Sequence, residues 1–275
     1  MQNILKAFEE NLISREKSNA TVEKYTRDVS AFLEWLNGEE VTKEKIIEYK
    51  DEIIKNYKTR SVNSIISSLN AFFEFIDRYD LRLKAVKMQR ETYLKKEKEL
   101  TKKEYERLLN TAKRKGDDRL YYLMQTVCAT GIRVSELKYI TKEAIDTKTA
   151  QINCKGKVRT VFLPKKLCNA LKEYAKRRNI KKGSIFITKS GQPLDRCNIW
   201  KMLKAIAKAA GVDKIKVFPH NLRHLFARTF YNLQKDIVRL SDILGHSNIN
   251  TTRIYTMENG DIHRRQIEKL GLFRC

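Results

Sequence analysis

The chain has 275 residues, with 57 Lys and Arg against 33 Asp and Glu, for a formal net charge of +24. An excess of that size speaks of partners rather than of fold, and its natural partner is a polyanion, nucleic acid above all. An apolar fraction of 41% argues against bulk disorder,, and the opening Met1-Gln2-Asn3-Ile4-Leu5-Lys6-Ala7-Phe8-Glu9-Glu10 is too charged to read as a secretory signal,.

With only three Pro and ten Gly, helices should dominate. Ile4, Leu5, Phe8 and Leu12 form one stripe at helical spacing, and Val22, Tyr25, Val29, Phe32, Leu33 and Leu36 form a second behind the N-caps Ser18 and Asn19,. Thr42 opens a third helix through Ile46, Ile47, Tyr49 and Ile53. Residues 61–76 carry a fourth, with Val62, Ile65, Ile66, Leu69, Phe72, Phe73 and Ile76 on its buried face,. Four such helices in the first 82 residues predict a compact bundle. Residues 83–99 then carry Lys84, Lys87, Arg90, Lys95, Lys96 and Lys98 and read as a basic linker, or as a solvated helical extension,.

A second domain is expected over 100–275, opening on Thr101 with Glu104 three residues on, the pattern of a capping box,. Helices are predicted over 102–114, 118–130 and 134–140. Strands over 150–154 and 158–163 flank Lys155-Gly156-Lys157 as a hairpin. Further helices are predicted over 166–178, 195–210, 220–232, 236–244 and 251–256, with a short strand at Ile185-Phe186-Ile187. The fold class expected is mainly α with a small antiparallel sheet.

The five cysteines, at 128, 154, 168, 197 and 275, are odd in number and widely spaced, with no Cys-x-x-Cys pair. They suit neither a disulfide framework nor a zinc module, and point to a reduced, cytoplasmic setting. No stretch nears the roughly 20 apolar residues of a membrane span. His220 and His224 lie four apart and could form half a metal site, but no third ligand is evident,.

Pro219 presets the start of a helix on which His220 and Arg223, three apart, project from one face. Gly245 ends a helix and leaves His246 on the following loop. Nine residues on, Tyr255 can fold back toward that imidazole, although packing is the common role of a lone tyrosine. Taken with Arg133 and Lys155, this inventory of cations, imidazoles and a phenol suits attack on a phosphodiester without a metal or cofactor.

Ala129-Thr130-Gly131-Ile132-Arg133-Val134-Ser135-Glu136-Leu137, His220-Asn221-Leu222-Arg223-His224, Leu244-Gly245-His246-Ser247 and Thr251-Thr252-Arg253-Ile254-Tyr255 closely resemble, in order and spacing, the conserved boxes of the tyrosine recombinases,. The N-terminal bundle resembles their core-binding domain. By this resemblance Arg133 and Arg223 are the catalytic arginines and Glu136 supports the first. Lys155 is the hairpin lysine, with Lys157 a close rival. His220 and His246 are the two histidines, and Tyr255 is the nucleophile.

The resemblance implies cleavage and rejoining of DNA through a 3′-phosphotyrosyl ester, with Lys155 protonating the leaving 5′-oxygen. It implies a homo-tetramer on synapsed duplexes, coupled by the tail after residue 262, and a monomer or weak oligomer in free solution. A monomeric type IB topoisomerase and an inactive DNA-binding accessory protein are the alternatives. Arg27, Lys58, Arg60, Arg78, Lys95 and Lys157 are candidate DNA contacts, though each also fits an ordinary solvated surface.

Overall fold

The computed structural model describes residues 2–88, 99–154, 157–255, 268–270 and 272. The chain divides into two compact units, Met1–Arg90 and Glu91–Cys275.

The first unit holds α1 (Gln2–Ser14), α2 (Asn19–Leu36), α3 (Lys43–Asn56) and α4 (Thr59–Phe75). Their apolar stripes meet in one core of Phe8, Leu12, Val29, Phe32, Ile46, Leu69, Phe72 and Phe73. Phe8 meets Phe72 edge-on at 5.3 Å, the geometry that aromatic quadrupoles favour,. Thr42 caps α3 by accepting from the Lys45 amide at 3.3 Å,.

The polar inclusion in this core is satisfied: Asp28 accepts from Lys24 and, at 2.8 Å, from the Ser68 hydroxyl. After α4 the chain runs back extended along it. The Asn70 side chain bonds both the amide and the carbonyl of Leu83, and Asn63 does the same for Val86. Two carboxamides thus stand in for a neighbouring strand, and Leu83 is buried in the bundle core,. The head of the expected basic linker is therefore held against α4.

The second unit comprises α5 (Lys102–Arg114), α6 (Asp118–Thr130), a 3-10 turn (Val134–Tyr139), α7 (Lys142–Thr147), β1 (Thr149–Cys154), β2 (Lys157–Phe162), α8 (Lys165–Arg177), α9 (Arg196–Ala209), α10 (Pro219–Gln234), α11 (Ile237–Leu244) and α12 (Asn250–Arg253). The expected capping box is present: Thr101 Oγ1 accepts from the Glu104 amide, and Glu104 accepts from the Thr101 amide at 2.8 Å. β1 and β2 pair antiparallel with Ile152 opposite Arg159, so Ile152 and Val161 point into the core while Val158, Thr160 and Phe162 face solvent,.

Three local expectations need correction. Residues 134–139 form a 3-10 turn rather than an α-helix. A helix, α7, precedes the hairpin where no element was expected, nucleated by Thr141 accepting from the Ala144 amide,. Residues 185–187 form no strand. Only single bridges occur, Thr141 with Ser184 and Ile187 with Pro193, and Pro193 has no N–H with which to extend a ladder,.

Candidate active site

The site is assembled from two helix C-termini. α6 ends on Gly131, whose φ of +64° lets the chain leave the helix in the left-handed conformation,. A Cβ there would meet Phe226 at 2.5 Å, so only glycine fits. The chain then enters the 3-10 turn at Arg133, where Glu136 accepts from the Arg133 amide and from its guanidinium, each at 2.9 Å. α11 ends on Gly245, at φ +63°, and the His246 amide reaches back to the Ser241 carbonyl,.

A helix end leaves carbonyls without partners and a partial negative charge. Here arginines take them in succession. Arg159, from β2, donates to the Ile243 carbonyl at 2.9 Å, Arg223 to Leu244 at 2.8 Å, and Arg133 to Gly245 at 3.1 Å. Arg223 also donates to Gly131, the end of α6, at 2.6 Å. Three guanidiniums that repel one another are thereby held together by backbone oxygens.

Glu136, with a side chain 6% exposed, completes the assembly by bridging Arg159 at 2.6 Å to Arg133. Burial pushes its carboxyl up, but the bonds from Arg159 and Arg133 outweigh that and hold it below the ordinary value,.

Arg223 is 2% exposed, an unusual burial for a cation,. Burial, with Arg133 adding to it, draws its pKa down to about 10, while the charge and hydrogen bonding of the Tyr255 phenol act in the opposite direction. The guanidinium stays charged at neutral pH, and the tyrosine lies beside it.

His246 joins the two. Its Nε2 lies 3.0 Å from Arg223 Nη2, and its Nδ1 lies 2.8 Å from Thr252 Oγ1. A guanidinium only donates, so Nε2 accepts and Nδ1 carries the proton toward Thr252. Burial first, then the three arginines and His220, lower its pKa to about 4, so the ring is neutral at physiological pH,. Tyr255 is buried, with the His246 ring parallel to it at 6.1 Å and the His224 ring perpendicular at 4.7 Å. His220 stands at the exposed edge, 4.4 Å from His224, with its pKa lowered by desolvation and then by Arg223, Arg133 and Arg196.

Of the residues singled out from sequence, Arg133, Glu136, His220, Arg223, His246 and Tyr255 thus converge. Lys155 and Lys95 lie outside the described residues, and Lys157 opens β2 opposite Cys154. Arg27, Lys58, Arg60 and Arg78 are exposed on the first unit, with Nε and Nη2 of Arg78 donating to Asp80. Sequence reasoning missed Arg159 and Thr252 as members of the site, and weighed His224 only as half a metal site. Among the described residues no group of three or more His, Cys, Asp or Glu could hold a metal ion.

Residues 98–261 match the phage integrase family, and residues 5–79 match the N-terminal SAM-like domain of phage integrases. Tyrosine recombinase XerA of Thermococcus kodakarensis is 33% identical over 98% of this chain and 95% of its own length. The chain belongs to the tyrosine recombinases. Among solved structures, that of XerH recombinase bound to its difH substrate in a pre-cleavage complex has a TM-score of 0.72 at 20% identity, covering 98% of this chain and 85% of that one. A lambda integrase tetramer bound to a Holliday junction has a TM-score of 0.74 at 20% identity, covering 92% and 76%. These two likenesses are of fold. Across the described residues, no helix of this recombinase is long and apolar enough to cross a membrane.

Proposed function

We propose that this tyrosine recombinase cleaves DNA site-specifically by attack of Tyr255 on a backbone phosphorus, and exchanges strands between two duplexes. The reading rests on one observation above all: Tyr255 lies beside Arg223 in the same chain, with His246 bonded to that arginine and Arg133 anchored on the adjoining turn.

A guanidinium has five N–H donors. Among the described contacts Arg133 directs Nη1 to Glu136 and Nη2 to Gly245, while Arg223 directs Nη1 to Gly131 and Nη2 to Leu244 and His246. Both retain donors for the non-bridging oxygens of a phosphodiester, whose negative charge grows as the phenol adds. When the phosphate draws on Arg223, the Nε2 lone pair of the neutral His246 is released toward the phenolic proton. The Tyr255 oxygen then forms the bond to phosphorus and the bond to the 5′-oxygen breaks. That oxygen takes a proton from the hairpin lysine, Lys155 or Lys157. The ester keeps the bond energy, so another 5′-hydroxyl reverses the step without ATP.

The first unit and the basic segment 83–99 serve in this reading as a DNA clamp, with Arg27, Lys58, Arg60, Arg78 and Lys95 among its contacts. The assembly on synapsed DNA is a homo-tetramer, as in the lambda integrase complex, and the protein acts in the cytoplasm. The tail expected to couple subunits lies almost wholly outside the described residues.

A nicked suicide duplex tests the chemistry. The wild-type protein should form a covalent adduct, resistant to denaturation and insensitive to EDTA, which Tyr255→Phe abolishes while DNA binding persists. An adduct formed by Tyr255→Phe would refute the assignment. Joint molecules between two duplexes, rather than relaxation alone, separate recombination from topoisomerase action.

A further inference from the structure

His224 follows Arg223 directly on α10, and lies one helical turn beyond His220, so the two imidazoles share a face,. Its ring meets His220 at 4.4 Å with an interplanar angle of 70°, and Tyr255 at 4.7 Å and 87°. Both contacts are edge-to-face. On the Tyr255 side they complement the His246 ring, which lies parallel at 6.1 Å. The phenol is thus bounded by two imidazoles at right angles, in the orientation in which it lies beside Arg223.

α12, which delivers Tyr255, is only four residues long, and the turn after it offers little internal stiffness,. The orientation of the ring must therefore come from what packs on it.

We propose that His224 is a positioning residue for the nucleophile: its ring is a wedge that fixes the Tyr255 phenol beside Arg223. The proposal rests on Tyr255 being the attacking group. It separates shape from proton chemistry, because the ring contacts carry the function and the nitrogens do not. Among the described residues the buried His224 Nε2 has no hydrogen-bonding partner, so the contacts it is seen to make with Tyr255 are those of its ring. Burial, followed by His220, Arg228 and Arg223, lowers its pKa to about 3, so it stays neutral wherever the protein works.

The test compares His224→Ala, His224→Phe and His224→Gln in single-turnover cleavage of the nicked suicide duplex at saturating protein, with DNA affinity and melting temperature measured in parallel. His224→Ala removes the wedge and should slow cleavage by about 100-fold, the usual effect of misplacing a reacting group by an ångström. DNA affinity should be unchanged. His224→Phe keeps the flat ring and should restore most of the lost rate, whereas His224→Gln keeps polarity without the ring and should stay slow.

Wild-type rates in His224→Ala would overturn the proposal, as would a Phe variant no faster than Gln, which would assign the role to the nitrogens. Should the Ala variant not fold, the Phe and Gln pair decides alone. The wild-type adduct and its loss in Tyr255→Phe report separately on the nucleophile, and if they fail the wedge falls with them.

Discussion

Glu136→Gln is the perturbation that best probes how the arginines are held. The substitution keeps size and an acceptor oxygen but deletes the charge between two guanidiniums. The Arg159 side chain is 17% exposed and its bond to Glu136 is 2.6 Å long, so most of the cost falls on that pair. The Arg133 side chain is 39% exposed and solvent screens it, so its share is small,.

Removing one partner of a buried pair costs roughly 3–5 kcal/mol, and a retained acceptor should halve this to about 2 kcal/mol. For a unit of this size that is a fall in melting temperature of roughly 4–8 °C. The pH dependence gives the sharper test. Because the folded pKa lies below the ordinary 4.5, the stabilisation is whole above that value and drains away as acid titrates the folded carboxyl,. Wild type and Glu136→Gln should therefore differ fully at pH 7 and converge below the folded pKa. Single-turnover cleavage should fall along with stability, as Arg133 loses its brace. Equal melting temperatures and equal cleavage rates at pH 7 would refute the bridging role.

Gly245→Ala should lower the melting temperature and slow cleavage, since a Cβ there would sit 2.5 Å from Arg159 Cδ at a φ of +63°; the left-handed strain alone is worth about 1–2 kcal/mol,. His246 and His224 have folded pKa values of about 4 and about 3 against an ordinary 6.5, so the unfolded chain binds more protons,. Denaturant titrations should show stability complete above pH 6.5 and falling through about 4 and about 3, with His224→Phe flattening the lower part of the decline. DNA affinity should weaken steeply with salt, at a slope near −0.9 per phosphate neutralised, and Lys58→Ala should reduce that slope by about one if it contacts the backbone. An unchanged slope would leave Lys58 on a solvated surface.

The helices were legible wherever caps and periodicity agreed. α5 and α6 begin and end where Thr101, Asp117 and Gly131 place them. α7 was missed because six residues are too short for a period to show, and its buried Ala144 and Ile145 read equally well as the start of a strand,. The residues gathered at the site were visible through their local motifs.

Arg159 was not, because nothing near it in sequence signals a contact with Ile243 or Glu136, which lie 84 and 23 residues away. Thr252 likewise acquires its meaning only when His246 is folded against it. A resemblance in short boxes finds groups that touch substrate sooner than the groups that hold them.

The anchors of the three arginines at the end of α11 are main-chain oxygens, and every amino acid supplies the same oxygen. Mutational drift in the side chains of that helix therefore leaves its cationic grip intact, provided the final turn stays wound. The lineage is free to retune α11 for new surroundings without rebuilding the apparatus that handles phosphate, whereas a proline that unwound its last turn would take one anchor from each arginine at once, leaving them to Glu136 and Gly131.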